Sequence, residues 1–190
     1  MWHDQSLFPH GIPELTNTTV RQLVRLGFGG HAPRLVLSNA YGIKPVYLKG
    51  VHLARSLDGA TIDPIQAGFV RFAGVSDTVL APGATLISDA IDMTVQTGET
   101  LAVSIHFTDT PAVESLHWEG RSTAQIIPGN QLDAARPEAS HTTTVRLFVS
   151  GVLVEAASSG SVVVLGIRSP TVPEQLLMPT RAGPICWQTG

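Results

Sequence analysis

Apolar and polar residues alternate over many short stretches of this chain, and a period of two is typical of β-strands. The cleanest stretch covers residues 101–107. Its predicted inward side chains are those of Leu101, Val103, Ile105 and Phe107, and its predicted outward side chains are those of Ala102, Ser104 and His106. The pattern therefore predicts a strand with one face on a core and the other in solvent.

A second strand is predicted over residues 18–26, where one face includes Val20 and Val24 and the other includes Arg21 and Arg25. The glycine-rich sequence GFGG follows this stretch, and the apolar stretch RLVLSN comes next. Two strands joined by a short glycine-containing turn commonly pair with each other. The sequence therefore predicts a β-hairpin at this point.

A third predicted strand, residues 46–55, changes phase part-way along. Val46 and Leu48 share one face, whereas Val51 and Leu53 continue on the other parity. One extra residue at Lys49-Gly50 would restore a single buried face, which predicts a β-bulge. The remaining predicted strands are residues 69–72, 87–95, 116–118, 123–127 and 142–154.

The number and spacing of these stretches indicate the fold class. Eight to ten short strands with turn residues between them, and no sustained helical period, are typical of an all-β protein. We expect an antiparallel, jelly-roll-like β-sandwich over residues 17–156, after an irregular lead-in at residues 1–16. Residues 157–166 form a small-residue linker and one more strand, and residues 167–190 form an irregular C-terminal tail.

The end of the chain changes character within one residue. Residues 162–165 form the apolar run Val-Val-Val-Leu, which ends at Gly166. Such a run is typical of a buried parallel strand that leads to an active-site loop. A helix should follow, but the tail contains four prolines and no sustained apolar period. We therefore expect the tail to be poorly ordered.

Composition narrows the class of protein. Of the 190 residues, 43% are hydrophobic and 14% charged, which is typical of a globular chain. A net charge of -3 without a basic cluster argues against a nucleic-acid partner. No apolar run approaches the roughly 18 residues of a membrane span, so we expect no membrane partner, and the N-terminal sequence lacks the regions of a signal peptide. The cellular location stays open.

The pattern assigns no catalytic, cofactor-binding or metal-binding residue. The seven histidines show none of the spacings typical of a metal site, and the single cysteine, Cys186, has no partner for a disulfide. Asp89 interrupts an apolar face, so its carboxylate requires a hydrogen-bond partner or water.

Two sets of residues are candidates for binding. His117 and Trp118 lie beside a strand start and could line a ligand cleft, although a packed tryptophan is the commoner arrangement. Arg21, Arg25 and Arg34 could form a basic patch across the predicted hairpin, with solvated or ion-paired side chains as the alternative.

The stretches TVRQLVRL, GFGG and RLVLSNAYG resemble the opening of a bacterial family of two-domain SGNH/GDSL esterases, and the resemblance covers roughly residues 17–166. Members of that family, often secreted, place a β-sandwich before the catalytic domain. The glycine that matches Gly166 is followed there by Asp-Ser, and this serine is the nucleophile. The oxyanion-hole residues and the Asp-x-x-His motif come later, in the usual arrangement for acyl transfer.

This chain departs from the family pattern immediately after Gly166. The next residues are Ile167, Arg168 and Ser169, so Ser169 is one position too late to match the nucleophile. Our hypothesis for this difference is a frameshift in the gene: with one nucleotide restored, suitable synonymous codons encode GDSITDG and the start of a helix. Two places in the tail agree with the restored reading whichever synonymous codons the gene uses. Met-Pro at 178–179 requires alanine in the other frame, and Cys-Trp-Gln at 186–188 requires Leu-Ala.

The resemblance implies an accessory β-sandwich of an ester hydrolase that lacks the catalytic residues and is inactive by itself. The alternative is a stand-alone module that binds carbohydrate or another ligand through Trp118 and its polar neighbours. A third hypothesis is an interaction protein that oligomerises, because an exposed docking face for a missing domain would favour self-association.

Overall fold

The structure, a computed structural model, describes residues 14–113, 116–117, 122–155 and 162–164. For residues 116–117 and 162–164 the description is of the backbone only. The lead-in predicted at residues 1–16 lies almost entirely outside the described residues, and the tail predicted at residues 167–190 lies wholly outside them.

The described part of the chain contains strands and turns and no helix. Its strands are β1 (Thr18–Arg25), β2 (Gly30–Ser38), β3 (Val46–Leu48), β4 (Gly50–Asp58), β5 (Thr61–Val70), β6 (Thr78–Leu80), β7 (Thr85–Ile87), β8 (Thr94–Val95), β9 (Thr100–Phe107), β10 (Leu116–His117), β11 (Ala124–Pro128), β12 (His141–Thr143), β13 (Arg146–Leu147), β14 (Val149–Glu155) and β15 (Val162–Val164).

Two main sheets organise these strands. Sheet A has six strands in the order β12-β11-β1-β9-β4-β5, and sheet B has the order β15-β14-β2-β7 with β8 also on β2. Strands β3 and β6 form one two-stranded ribbon, and β10 and β13 form another. Every pairing between these strands is antiparallel. The predicted all-β, antiparallel fold class is confirmed.

One apolar core joins the two sheets in a sandwich-like arrangement. Sheet A contributes side chains from β1, β4 and β9, and sheet B contributes side chains from β2 and β14. The rings of Phe107 and Phe148 lie 6.0 Å apart in this core. Its other fully buried members include Val20, Leu35, Leu37, Val51, Leu53, Leu101, Val103, Ile105 and Val152. Burial of this apolar surface is the main term favouring the fold.

The predicted hairpin between the first two strands is wrong. Strand β1 lies between β9 and β11 in sheet A, whereas β2 pairs with β14, β7 and β8 in sheet B. Both strands carry an apolar face that belongs to the same core. The glycine-rich turn therefore carries the chain from one sheet to the other, which lets the two faces enclose the core from opposite sides.

The predicted bulge at Lys49-Gly50 is a break between two strands. Strand β3 pairs with β6, and β4 pairs with β5 and β9, while the Lys49 amide donates to the carbonyl of His106 at 3.1 Å. Residues 142–154 likewise fall into three strands. Before β14, Phe148 has a positive φ of 57°, which interrupts the extended backbone.

The apolar run near the end of the chain has a partner in sheet B. Strand β15 pairs antiparallel with β14, with Val162 opposite Glu155 and Val164 opposite Leu153. It therefore forms the edge of sheet B beside the last strand of the sandwich. Pairing with a sandwich edge leaves fewer open backbone groups on β14 than a free edge would.

The start of β2 depends on a close backbone approach at Gly30. A Cβ atom at this position would lie 2.4 Å from the carbonyl oxygen of Glu155 in β14. We expect Gly30→Ala to lower the free energy of unfolding by about 3 kcal/mol, because the paired strands must separate. Gly83→Ala is the control: its φ of 70° is strained but its surroundings are open, so we expect a loss of about 1 kcal/mol. Urea denaturation measures both, and equal losses would contradict the predicted close packing.

Candidate functional site

A row of side chains crosses the outer face of sheet A, on the side away from the main core. Arg21 in β1 lies opposite Gln125 in β11 and Ser104 in β9, and Ser104 lies opposite His52 in β4, which pairs with Phe69 in β5. We call these five residues the polar row. Arg21, His52 and Ser104 are at most 4% exposed, so the central residues of the row are buried although they face outward, whereas Phe69 at its end is 56% exposed.

Arg21 uses all its donor groups inside the protein. Its Nε donates to Ser104 Oγ at 2.8 Å. The two terminal nitrogens donate to four backbone carbonyl oxygens: Ala60 at 2.8 Å, Ala134 at 2.8 Å, Leu132 at 3.0 Å and Gln131 at 3.3 Å. A guanidinium offers five N–H donors in a planar fork, and this set of acceptors matches that geometry.

These bonds replace the water that burial removes from the cation. Burial lowers the pKa of Arg21 to about 10, and the nearby carboxylate of Asp133 opposes this shift. The group therefore remains charged at neutral pH. Its charge is met by carbonyl dipoles from several parts of the chain, which makes the guanidinium a clamp and not a member of a simple ion pair.

The clamp holds residues 129–135, which we call the roof segment, against sheet A. The Thr19 hydroxyl donates to Gly129 O at 2.7 Å, and the Ile62 amide donates to Ala135 O at 3.0 Å. Leu132 packs onto Gly50, where a Cβ atom would lie 2.7 Å from its Cδ1. The roof segment therefore covers the central strands of sheet A on their outer face, which explains why Arg21, His52 and Ser104 are buried.

Two members of the polar row retain a buried polar atom with no hydrogen-bond partner. These atoms are His52 Nδ1 and Gln125 Oε1. The His52 ring instead makes an edge contact with Phe69, with centroids 4.9 Å apart. Burial lowers the pKa of His52; Asp133 opposes the shift and Arg21 adds to it. At neutral pH the imidazole is therefore uncharged.

The polar row does not have the geometry of a nucleophile and base. Ser104 and His52 are on neighbouring strands, but the Ser104 hydroxyl accepts its hydrogen bond from Arg21, and His52 Nδ1 has no partner. An activated serine requires a base within hydrogen-bond reach of its hydroxyl and room for a substrate. The roof segment occupies that room, so the row is best suited to positioning the chain.

The predicted basic patch does not form. Arg21 is buried, Arg25 is exposed on the same strand, and Arg34 lies in sheet B, where its Nη1 donates to the Ser88 carbonyl at 3.0 Å. The prediction depended on pairing between the first two strands, which are in different sheets. It also assumed a solvated outer face, whereas the roof segment covers that face.

His106 lies on the outward face as predicted, but that face is not in solvent at this position. His106 is 5% exposed, and its Nδ1 also has no hydrogen-bond partner. Asp89 has the partners that its position requires, since its carboxylate accepts the amides of Ala73 at 3.2 Å and Gly74 at 2.7 Å.

The predicted pair of ligand-face residues stays untested. His117 lies in β10 opposite Arg146, with its backbone described and its side chain not. Trp118 lies outside the described residues. Arg146 itself is 7% exposed and donates to the carbonyl of Leu23 at 2.9 Å, and burial lowers its pKa.

Two surface features could contact a ligand. The first is an open cleft of about 600 Å³ beside the tip of the β4–β5 hairpin, where the ion-paired Arg55 and Glu99 lie near Leu23. The second is an apolar patch at the β3–β6 ribbon. Tyr47 and Val79 lie opposite each other in this ribbon, 63% and 45% exposed.

Sequence comparison does not assign this site to a family. No protein-family model matches the chain, and no curated protein is significantly similar to it. Within the described residues, no three histidine, cysteine, aspartate or glutamate side chains are grouped as a metal site. The same part of the chain has no helix long and apolar enough to span a membrane.

The clamp can be tested by removing the guanidinium. We expect Arg21→Met to lower the free energy of unfolding by about 4 kcal/mol, because four buried carbonyls lose their donor. Arg25→Met, at the exposed end of the same strand, should change it by less than about 0.5 kcal/mol. Chemical denaturation measures both values.

Hydrogen exchange adds a local measurement for the same variants. In Arg21→Lys, which keeps the charge but loses the fork, the Ile62 amide should exchange faster than in the wild type. Equal stability of the two methionine variants, or unchanged exchange in the lysine variant, would contradict a clamp at Arg21.

Proposed function

We propose that this chain is a non-catalytic accessory β-sandwich of an SGNH/GDSL-type ester hydrolase, interrupted by a frameshift after Gly166. The sequence resemblance over residues 17–166 is the source of the family, and the position of β15 is the observation that supports it in the structure. In the family, the strand that ends at this glycine begins the catalytic domain.

The pairing of β15 supports a chain without that catalytic sheet. The first strand of an α/β hydrolase sheet pairs in parallel with later strands of its own domain. Here Val162–Val164 pairs antiparallel with β14 and extends sheet B. A strand with no sheet of its own is expected to join the nearest open edge.

The residues after Gly166 support the same proposal. A serine esterase needs its nucleophile on the turn after this strand, within reach of a base and oxyanion donors. The chain has Ile167 and Arg168 there, and Ser169 is out of position. In this proposal the sandwich contributes a docking surface for the catalytic domain and no reacting group.

The activity of the purified chain tests the proposal. We expect no hydrolysis of p-nitrophenyl acetate above a heat-denatured control, because the catalytic residues are missing. The matched positive arm is the same gene with one nucleotide inserted at codon 167 and its downstream sequence retained, which should restore Gly-Asp-Ser and ester hydrolysis. Turnover by the unaltered chain that is abolished in Ser169→Ala would contradict the proposal, since Ser169 would then be the nucleophile.

A second candidate function is carbohydrate binding by a stand-alone module, favoured by the exposed aromatic residues at the β3–β6 ribbon. Tyr47 is 63% exposed and lies opposite Val79 in the ribbon. Tyr41 is 84% exposed and, with Ile43, comes just before β3 in the chain. Exposed rings beside apolar side chains are typical of a surface that receives a ligand.

A glycan array tests this second function. If the ribbon is the binding surface, Tyr47→Ala should weaken binding at least roughly tenfold, the loss of about 1.4 kcal/mol of contact energy. Phe28→Ala, at an exposed aromatic residue elsewhere, is the matched control. Trp118→Ala tests the site predicted from sequence. No binding to any glycan would exclude this function.

A further inference from the structure

In the structure the roof segment lies on sheet A, an arrangement that we call the closed form. The surroundings of His52 in this form favour a neutral imidazole. His52 is 4% exposed, its Nδ1 has no partner, and its ring edge meets Phe69. A protonated imidazole carries a donor on both ring nitrogens. At Nδ1 that donor would have neither an acceptor nor water, so the closed structure disfavours protonation.

The charge of Arg21 is a second reason why the closed form disfavours protonation of His52. Ser104 is the only residue between His52 and Arg21 in the polar row, so the two side chains lie two strands apart on one face, a separation of about 10 Å. The guanidinium and an imidazolium would be like charges under one roof segment. Because Arg21 binds three of the roof carbonyls directly, repulsion between these charges acts on the bonds that hold the segment.

The other elements around His52 do not cancel this effect. The roof contributes Asp133, whose carboxylate favours the charged imidazole but is exposed to solvent. Strand β9 contributes His106, two residues beyond Ser104 on the same face, and β5 contributes the uncharged Phe69. On its own strand, Arg55 is ion-paired with Glu99.

We propose that His52 is a proton switch that releases the roof segment from the outer face of sheet A in mildly acidic solution. Opening admits water to His52 and lets it take up a proton. It also uncovers the polar row, so that the guanidinium of Arg21 becomes available to an anionic group. The closed form is the neutral-pH form, and the open form binds one more proton.

The direction of the effect follows from the pKa of His52. The closed structure holds this pKa below its ordinary value, whereas in the open form it returns to about 6.5. The closed form is therefore fully favoured above pH 6.5 or so and loses stability as the pH falls below that value. As the pH falls below this value, the opening equilibrium should rise by at most roughly tenfold per pH unit, the limit for uptake of one proton.

Hydrogen exchange of the Ile62 amide tests the switch, because this amide donates to the roof carbonyl of Ala135. After correction for intrinsic exchange, opening of the wild type should increase as the pH falls below about 6.5, by up to about tenfold per unit. His52→Gln should remove this slope. His106→Gln and the exposed His141→Gln should retain it. The Ser38 amide in sheet B, bonded to Phe148, reports global unfolding, which takes up the same proton, so this amide should stay more protected than the Ile62 amide at every pH.

Each alternative result overturns the proposal. A slope that survives in His52→Gln assigns the proton to another group, and a slope lost in His106→Gln assigns it to His106. Equal protection of the Ser38 and Ile62 amides would mean that the Ile62 amide exchanges only when the whole sandwich unfolds. If His52→Gln is less stable at every pH, the slope still decides, since it depends on proton uptake and not on absolute stability.

Discussion

The buried guanidinium of Arg21 is the interaction on which the outer half of this sandwich depends. A cation without exposure to water must find hydrogen-bond acceptors within the protein, and Arg21 finds four backbone carbonyls and one hydroxyl. Those acceptors come from β9, the β4–β5 turn and the roof segment. One side chain therefore fixes three separate parts of the chain on sheet A, and both faces of its central strands become interior.

This arrangement affects where binding chemistry can take place. In the closed structure the donors of Arg21 are occupied, so its guanidinium offers no free group to an anion, and the Ser104 hydroxyl accepts one of its hydrogen bonds. Among the described residues, the surfaces open to partners include the cleft near Glu99 and the exposed Tyr47 and Val79 of the β3–β6 ribbon. Both are open surfaces, which fits a domain that docks or binds better than one that encloses a reacting substrate.

The sequence was sufficient to predict strands and fold class, because alternation is a local property of the chain. It was insufficient for pairing, because the first two strands have the same apolar pattern whether they are neighbours in one sheet or face each other across a core. The solvent exposure of the outward faces was also mispredicted. Arg21, Ser104 and His106 resemble solvated positions in their own strands, and only a distant segment covers them. Two features of the sequence are consistent with a covering segment. Gly50 leaves room for Leu132, and Arg21 lies among apolar residues.

The most direct test of the clamp is the ¹H–¹⁵N spectrum of the protein labelled at arginine nitrogen. If the guanidinium of Arg21 is bonded at every donor, its Nε and Nη protons should appear as separate signals that exchange slowly with water at neutral pH, unlike those of the exposed Arg25. Signals for Arg21 that exchange as fast as those of Arg25 would contradict a buried clamp and, with it, the closed outer face of sheet A.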